Sequence, residues 1–224
     1  MIPNTARTPS DLRARLEQMA GREHLSIGGV SPGLSSGHES LDALLPGRGW
    51  PVGALTELLA EGCGIGELGL LLPALRALAR AGRSLVWIAP PYVPYAPALV
   101  QQDVPLSQVL WIRTAEPQEA LWATEQALRC PTIGAVLGWT AHIADRSLRR
   151  LQLAAETGHT LGVLHRPITA AREFSPAALR LQLQPLTDGG LAVEVKKSRG
   201  GRTGARLYLP RLNPRSSDAL LASD

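Results

Sequence analysis

The sequence predicts an α/β fold, a mostly parallel sheet flanked by helices and followed by a C-terminal antiparallel β-hairpin. Three observations carry that prediction. Short apolar runs alternate with helical patterns between Ala54 and Leu164, the rhythm of parallel strands covered on both faces. After Pro176 the period drops to two, with Leu179, Leu181 and Leu183 set against Leu191, Val193 and Val195 across Asp188-Gly189-Gly190, which is a hairpin signature. A glycine-rich loop, Glu61 to Gly66, joins the first strand to the first long helix.

The bulk properties fit one principal domain. With 224 residues, 45% hydrophobic and 19% charged, the chain can bury a sizeable core. A net charge of +4 is too small by itself to indicate a nucleic-acid partner, so its distribution carries the information. Cys63 and Cys130 form no zinc-binding spacing, and a reducing cytoplasm is the expected compartment. No apolar run follows the N-terminal charges, so no secretory signal is expected. The most apolar stretch, Ile65 to Leu78, is broken by Glu67, Pro73 and Arg76 and is too short to span a bilayer.

Residues 1–30 read as an arm, 31–210 as the core and 211–224 as a loose tail. In the arm, Thr8 caps a helix begun by Pro9, with Leu12, Leu16 and Met19 on one stripe. Ser36 is expected to cap a short helix carrying Leu41, Leu44 and Leu45, stopped by Pro46-Gly47. Strands are predicted at 54–59, 84–89, 109–113, 133–138 and 160–164. Helices are predicted at 67–81, near 98–102, at 117–129, and from a cap at Asp145 to about residue 156. A last strand, 205–209, follows the loop SRGGRTG.

Strand, glycine-rich loop and apolar helix have the layout of a phosphate-binding P-loop. A working loop reads G-x-x-x-x-G-K-[ST], with backbone amides around the phosphates, a Lys on them and a hydroxyl on Mg²⁺. Aligned on Gly66, this loop reads Glu61-Gly62-Cys63-Gly64-Ile65-Gly66-Glu67-Leu68. Glu61 replaces the first Gly, Glu67 the Lys and Leu68 the Ser/Thr. The strand that should end in a metal-holding Asp runs into Gly138-Trp139, and no acid follows the second strand at Ala89-Pro90-Pro91-Tyr92. Three separate losses argue against hydrolysis and against tight nucleotide binding. No enzyme activity, cofactor or metal is expected.

The segment SSGHESLDALLPGRGWPVGALTELL, Ser35 to Leu59, resembles the entry into the RecA ATPase core. Its wording LDALLPGRGWPVGALTELL resembles the ImuA family of translesion-synthesis-associated proteins. So do LGLLLPALRALARAGRSLVWIAPP and GAVLGWTAHIADRSLRRLQLAAETGHTLGVLHRP, both also similar to the cell-division inhibitor SulA. The likeness runs from about Ser35 to Leu209. It implies a RecA-like core without ATPase activity, and a role in the bacterial SOS response. It further implies docking to ImuB, an inactive Y-family polymerase homologue, to an error-prone C-family DNA polymerase, and contact with RecA. The protein would then be cytoplasmic, and at the nucleoid when acting. The alternative is a SulA-like inhibitor that binds FtsZ; the resemblance implies that such chains are shorter and lack most of the 41–51 block and the C-terminal hairpin. A RecA-like ATPase or recombinase is disfavoured by the missing site residues.

The strongest local candidate for partner contact is basic. Lys196, Lys197, Arg199, Arg202, Arg206 and Arg211 are opposed by Glu194 alone between 191 and 211. Glycines at 200, 201 and 204 leave the loop free to bring guanidinium groups to carboxylate or phosphate. Within the resemblance, Lys196 and Lys197 are similar to the hairpin lysines that reach a neighbour's nucleotide in active RecA-type filaments. Partner contact is the favoured reading, with weak DNA contact and a merely solvated face as alternatives. Arg146, Arg149 and Arg150 form a second, weaker candidate face. Tyr92 and Tyr95 are candidate exposed contacts. Trp50, Trp87, Trp111 and Trp139 read as packing residues, and His24, His38, His142, His159 and His165 form no catalytic or ligand spacing.

Overall fold

The computed structural model describes residues 5, 6, 8, 10–12, 14, 15 and 33–210. Its strands are β1 (Thr5–Ala6), β2 (Ala54–Ala60), β3 (Ser84–Ile88), β4 (Val109–Ile112), β5 (Ile133–Trp139), β6 (Leu161–Pro167), β7 (Leu179–Pro185), β8 (Leu191–Ser198) and β9 (Arg206–Leu209). Between them lie α1 (Glu39–Asp42), α2 (Glu67–Arg80), α3 (Ala96–Gln101), α4 (Pro117–Arg129) and α5 (Asp145–Gly158). All nine strands join one sheet in the order β1-β4-β3-β5-β6-β2-β7-β8-β9. The pairings from β1 through β7 are parallel, and only β7–β8 and β8–β9 are antiparallel. The predicted fold class is the observed one.

Continuous apolar strands are needed because the sheet is buried on both sides, and successive side chains divide between two cores. Leu85 and Trp87 of β3, Ala135 and Leu137 of β5, and Leu161 and Val163 of β6 join Leu70, Leu71, Ala74 and Leu75 of α2 in one core. Val86 and Ile88, Val136 and Leu164 join Ala120, Ala123 and Ala127 of α4 and Leu148 and Leu151 of α5 in the other. The alternating runs of β7 and β8 place Leu181, Leu183, Val193 and Val195 in the first core. The outward residues Glu194 and Lys196 are left on the opposite face of β8.

Several local expectations needed correction. Ser36 does not cap α1; His38 holds the N-cap position without a side-chain cap bond. Ser36 is instead fully buried, its hydroxyl accepting from His38 N–H at 3.2 Å while its own N–H donates to Asp42 Oδ1 at 2.8 Å. Asp145 is the first residue of α5 rather than its cap, a position held by Ala144. There its carboxylate still favours the positive end of the helix. Strand β6 runs to Pro167, three residues beyond the predicted end, and so carries His165 and Arg166 into the sheet. Trp111 is only half-buried, with the Arg113 guanidinium 5.5 Å from its ring centroid.

In the arm, Thr8 and Asp11 cap each other. Asp11 N–H donates to Thr8 Oγ1 and Thr8 N–H to Asp11 Oδ2, both at 3.1 Å. Leu12 then buries in the second core. The sequence did not anticipate β1, which extends the sheet beyond β4 by pairing Thr5 with Trp111 and Ala6 with Ile112. Leu16, Met19, His24, Arg211 and the expected tail lie outside the described residues.

Candidate binding cleft at the carboxyl ends of the strands

The loop after β2 closes around a side chain of its own chain. Gly64 and Gly66 hold φ of +80° and +105°, a region that L side chains rarely adopt. That path turns the amides inward at the start of α2. Glu67, the first residue of α2, folds back so that Gly64 N–H donates to Oε1 and Ile65 N–H to Oε2, each at 2.8 Å. An anion therefore sits where the helix N-terminus and converging amides would hold a phosphate, but it belongs to the protein. Burial, and after it the charge of Glu67, pushes the Cys63 thiol up. Leu68, in the position of the metal-binding hydroxyl, packs against the first core. Gly62 and Glu61 are exposed at the loop's outer side.

Beside this loop lies a cleft of about 310 Å³ at the carboxyl ends of β2, β5 and β6. Leu58, Ala60, Trp139, Pro167 and Leu183 give it apolar walls, and Glu61, Cys63, Pro91 and Ala141 also line it. The end of β5 refines the sequence reading. A side chain at Gly138 would meet Leu164 and Thr124 on the far face of the sheet, whereas Trp139 and Thr140 line the cleft. The indole of Trp139 stacks on His165 at 4.4 Å and 3°, with Trp87 set edge-on to it at 6.4 Å. Burial pushes His165 down to about 3, so the ring is neutral at ordinary pH. Trp139 Nε1, Thr140 Oγ1 and His165 Nε2 are buried without hydrogen-bond partners. Sequence spacing gave His165 no role because its neighbour is in another strand.

The sequence also gave no role to a buried ion cluster beneath the cleft. Glu57 of β2 is fully buried and receives Arg180 Nε at 2.6 Å, Ser175 Oγ at 2.8 Å and Arg166 Nη1 at 3.2 Å. Arg166 also donates to Glu173 at 2.6 Å. Arg180 reaches the carbonyls of Ala170 at 2.6 Å and Glu173 at 3.1 Å. Two arginines and two glutamates cancel, so Arg166 brings no spare positive charge to the cleft. The cluster ties β2, β6 and β7 together, and its charges are paired and hydrogen-bonded as burial requires.

The basic hairpin is less free than its sequence suggests. Glu194 pairs with Lys196 at 3.0 Å and with Arg206 at 3.2 Å. The hydrogen bond from Lys196, chiefly, holds the Glu194 carboxyl below the usual range. Lys197 donates to the carbonyl of Ser175 at 2.6 Å and Arg199 to that of Pro176 at 3.3 Å. Burial, followed by Arg199 and Arg180, pushes the Lys197 amine down. Arg202 is exposed in the loop. On α5, Arg150 pairs with Glu125 and Arg149 lies 5.6 Å from the ring of Phe174. Tyr92 and Tyr95 are each 72% exposed, with Val93 between them at 70%. Among the described residues no group of three or more His, Cys, Asp or Glu side chains is placed to hold a metal ion. None of the helices among those residues is long and apolar enough to cross a membrane.

This geometry defines a RecA-like α/β protein whose phosphate loop is closed by its own carboxylate. The RadB recombinase structure superimposes with a TM-score of 0.63 over 79% of this chain and 95% of that one, at 16% identity, a likeness of fold alone. The family model described as "Cell division inhibitor SulA" matches residues 55–162. The SulA protein of Yersinia pestis (strain Pestoides F) is 31% identical over 114 residues, 51% of this chain and 68% of that protein. The SulA protein of Edwardsiella piscicida is 38% identical over 98 residues, 44% of this chain and 58% of that protein. The chain belongs to the SulA family.

Proposed function

We propose that this chain is a non-catalytic binding protein of the bacterial SOS response, a RecA-like scaffold that acts by docking onto other proteins. The observation that carries the reading is the Glu67 carboxylate on the amides of Gly64 and Ile65. A polyphosphate would have to displace a tethered anion and would find no lysine behind it. The lining of the neighbouring cleft is largely apolar and its one arginine is already paired, which suits a protein segment better than a nucleotide.

Family membership supports an inhibitor of cell division that binds FtsZ in the cytoplasm. A second reading is favoured by what lies outside residues 55–162. Leu34 bridges to Trp50, and Trp50 is fully buried. Strands β7 to β9 extend the sheet by three more members. These parts include the ImuA-like block, and they favour an accessory factor of mutagenic translesion synthesis at the nucleoid. Such a factor would dock ImuB and the C-family polymerase, and contact RecA.

One experiment separates the readings. Tagged full-length protein is offered FtsZ, an ImuB-type protein with the C-family polymerase, and RecA, and capture is measured in each arm. Capture of FtsZ with loss of its polymerisation supports the division inhibitor. Capture of the ImuB-type protein, with FtsZ left free, supports the accessory factor. Sustained ATP turnover by the purified chain, altered by Glu67→Ala, would overturn the non-catalytic reading itself.

A further inference from the structure

We infer that the cleft beside the closed loop is a receptor for a cationic, apolar-stemmed side chain, an arginine or lysine presented by a protein partner. The inference rests on the protein-docking reading above and names the chemistry of its contact. Three features converge on it.

The first is charge. A site of this layout ordinarily carries positive potential for a polyanion. Here its lining holds two carboxylates, Glu61 and Glu67, and one cation, Arg166. Arg166 is fully buried and matched by Glu57 and Glu173. Glu67 is likewise matched, by the amides of Gly64 and Ile65, so the charge offered to a partner is the carboxylate of Glu61 at the exposed side of the loop. An entering cation meets attraction in a partly water-excluded cleft, where it counts for more than on an open surface.

The second is shape and polarity. Leu58, Ala60, Trp139, Pro167 and Leu183 give apolar walls with room for a long side chain. Arginine and lysine bury their methylene stems on such surfaces and keep the charged head at a polar rim. The aromatic face of Trp139 adds a surface on which a guanidinium can lie.

The third is the approach. Pro91 lines the cleft, and the chain beyond it exposes Tyr92, Val93 and Tyr95. Aromatic side chains next to a pocket are the usual surroundings of an anchoring residue at a protein interface.

The test needs no knowledge of the partner. The probe is the capped tripeptide acetyl-Leu-Arg-Leu-amide, with citrulline replacing arginine as the uncharged control. Each is titrated into full-length ¹⁵N-labelled protein while the indole resonance of Trp139, assigned with Trp139→Phe, is followed. The arginine peptide should shift that resonance saturably and the citrulline peptide should not. Glu61→Gln, at an exposed position, should weaken the arginine peptide about fivefold, and Ala141→Trp should block it by filling the mouth. Equal shifts from both peptides, an unmoved Trp139 resonance, or a Glu61→Gln titration matching the parent would each overturn the inference. A Trp139 resonance moved by Mg²⁺-ATP and not by the peptide would overturn it as well. Failure of the peptide titration with partner capture intact removes only this inference. Failure of every capture arm removes the docking reading on which it rests.

Discussion

Glu57 and Glu67 stand ten positions apart and meet opposite fates. Glu67 is buried at the first position of α2 and is satisfied within its own turn by two backbone amides. Glu57 is sealed inside the sheet and is satisfied by side chains 109, 118 and 123 residues further along the chain. The first carboxylate closes a site, and the second holds the strands that frame it. One residue type thus fills a single turn in one place and secures three strands in another, according to where its donors come from.

Removing Glu57 should have the largest effect. Glu57→Ala leaves the buried Arg180 guanidinium without a carboxylate and Arg166 with Glu173 alone, and should cost about 3–5 kcal/mol, read as a lowered denaturant midpoint with an unchanged slope. Acid should act next. The unfolded chain protonates His165 near 6.5 and the folded chain only near 3. Its stability contribution is whole above about pH 6.5 and is lost as pH falls toward 3, by roughly 2 kcal/mol at pH 5. His165→Phe, which keeps the stack on Trp139, should flatten that part of the pH–stability curve. Glu67→Ala frees two amides that water can reach and should cost about 1–2 kcal/mol, measured by thermal unfolding. The gap between the Glu57 and Glu67 substitutions measures the contrast directly. Smallest of all, Glu194→Gln releases Lys196 and Arg206 at an exposed sheet face and should change stability by less than about 0.5 kcal/mol.

The closed loop was legible because its chemistry is local. Gly64, Gly66, Glu67 and Leu68 are contiguous, and a carboxylate in the lysine position is visible at a glance. The alternating strands and the hairpin were legible for the same reason, each being a pattern within eight or so residues. The Glu57 cluster was hidden, since no periodicity links β2 to Arg166 and Arg180. His165 was hidden because the predicted strand stops at Leu164, whereas β6 runs three residues further to Pro167. The basic hairpin was legible as composition and not as availability. Counting charges could not foresee that Ser175, Pro176 and Glu194 would take up Lys197, Arg199, Lys196 and Arg206. Ser36 was misassigned because a serine before a helix was read as a cap, whereas Asp42 took its N–H from inside the turn.

The two rims of the sheet have a consequence for the life of the protein in a crowded cell. Among the described residues the sheet ends at one side in β1, two residues long, and at the other in β9, four residues long with Arg206 and Tyr208 exposed. Rims so short give a passing chain few open hydrogen bonds to copy. A wide apolar sheet bounded by strands this short offers little template for edge-to-edge pairing between copies.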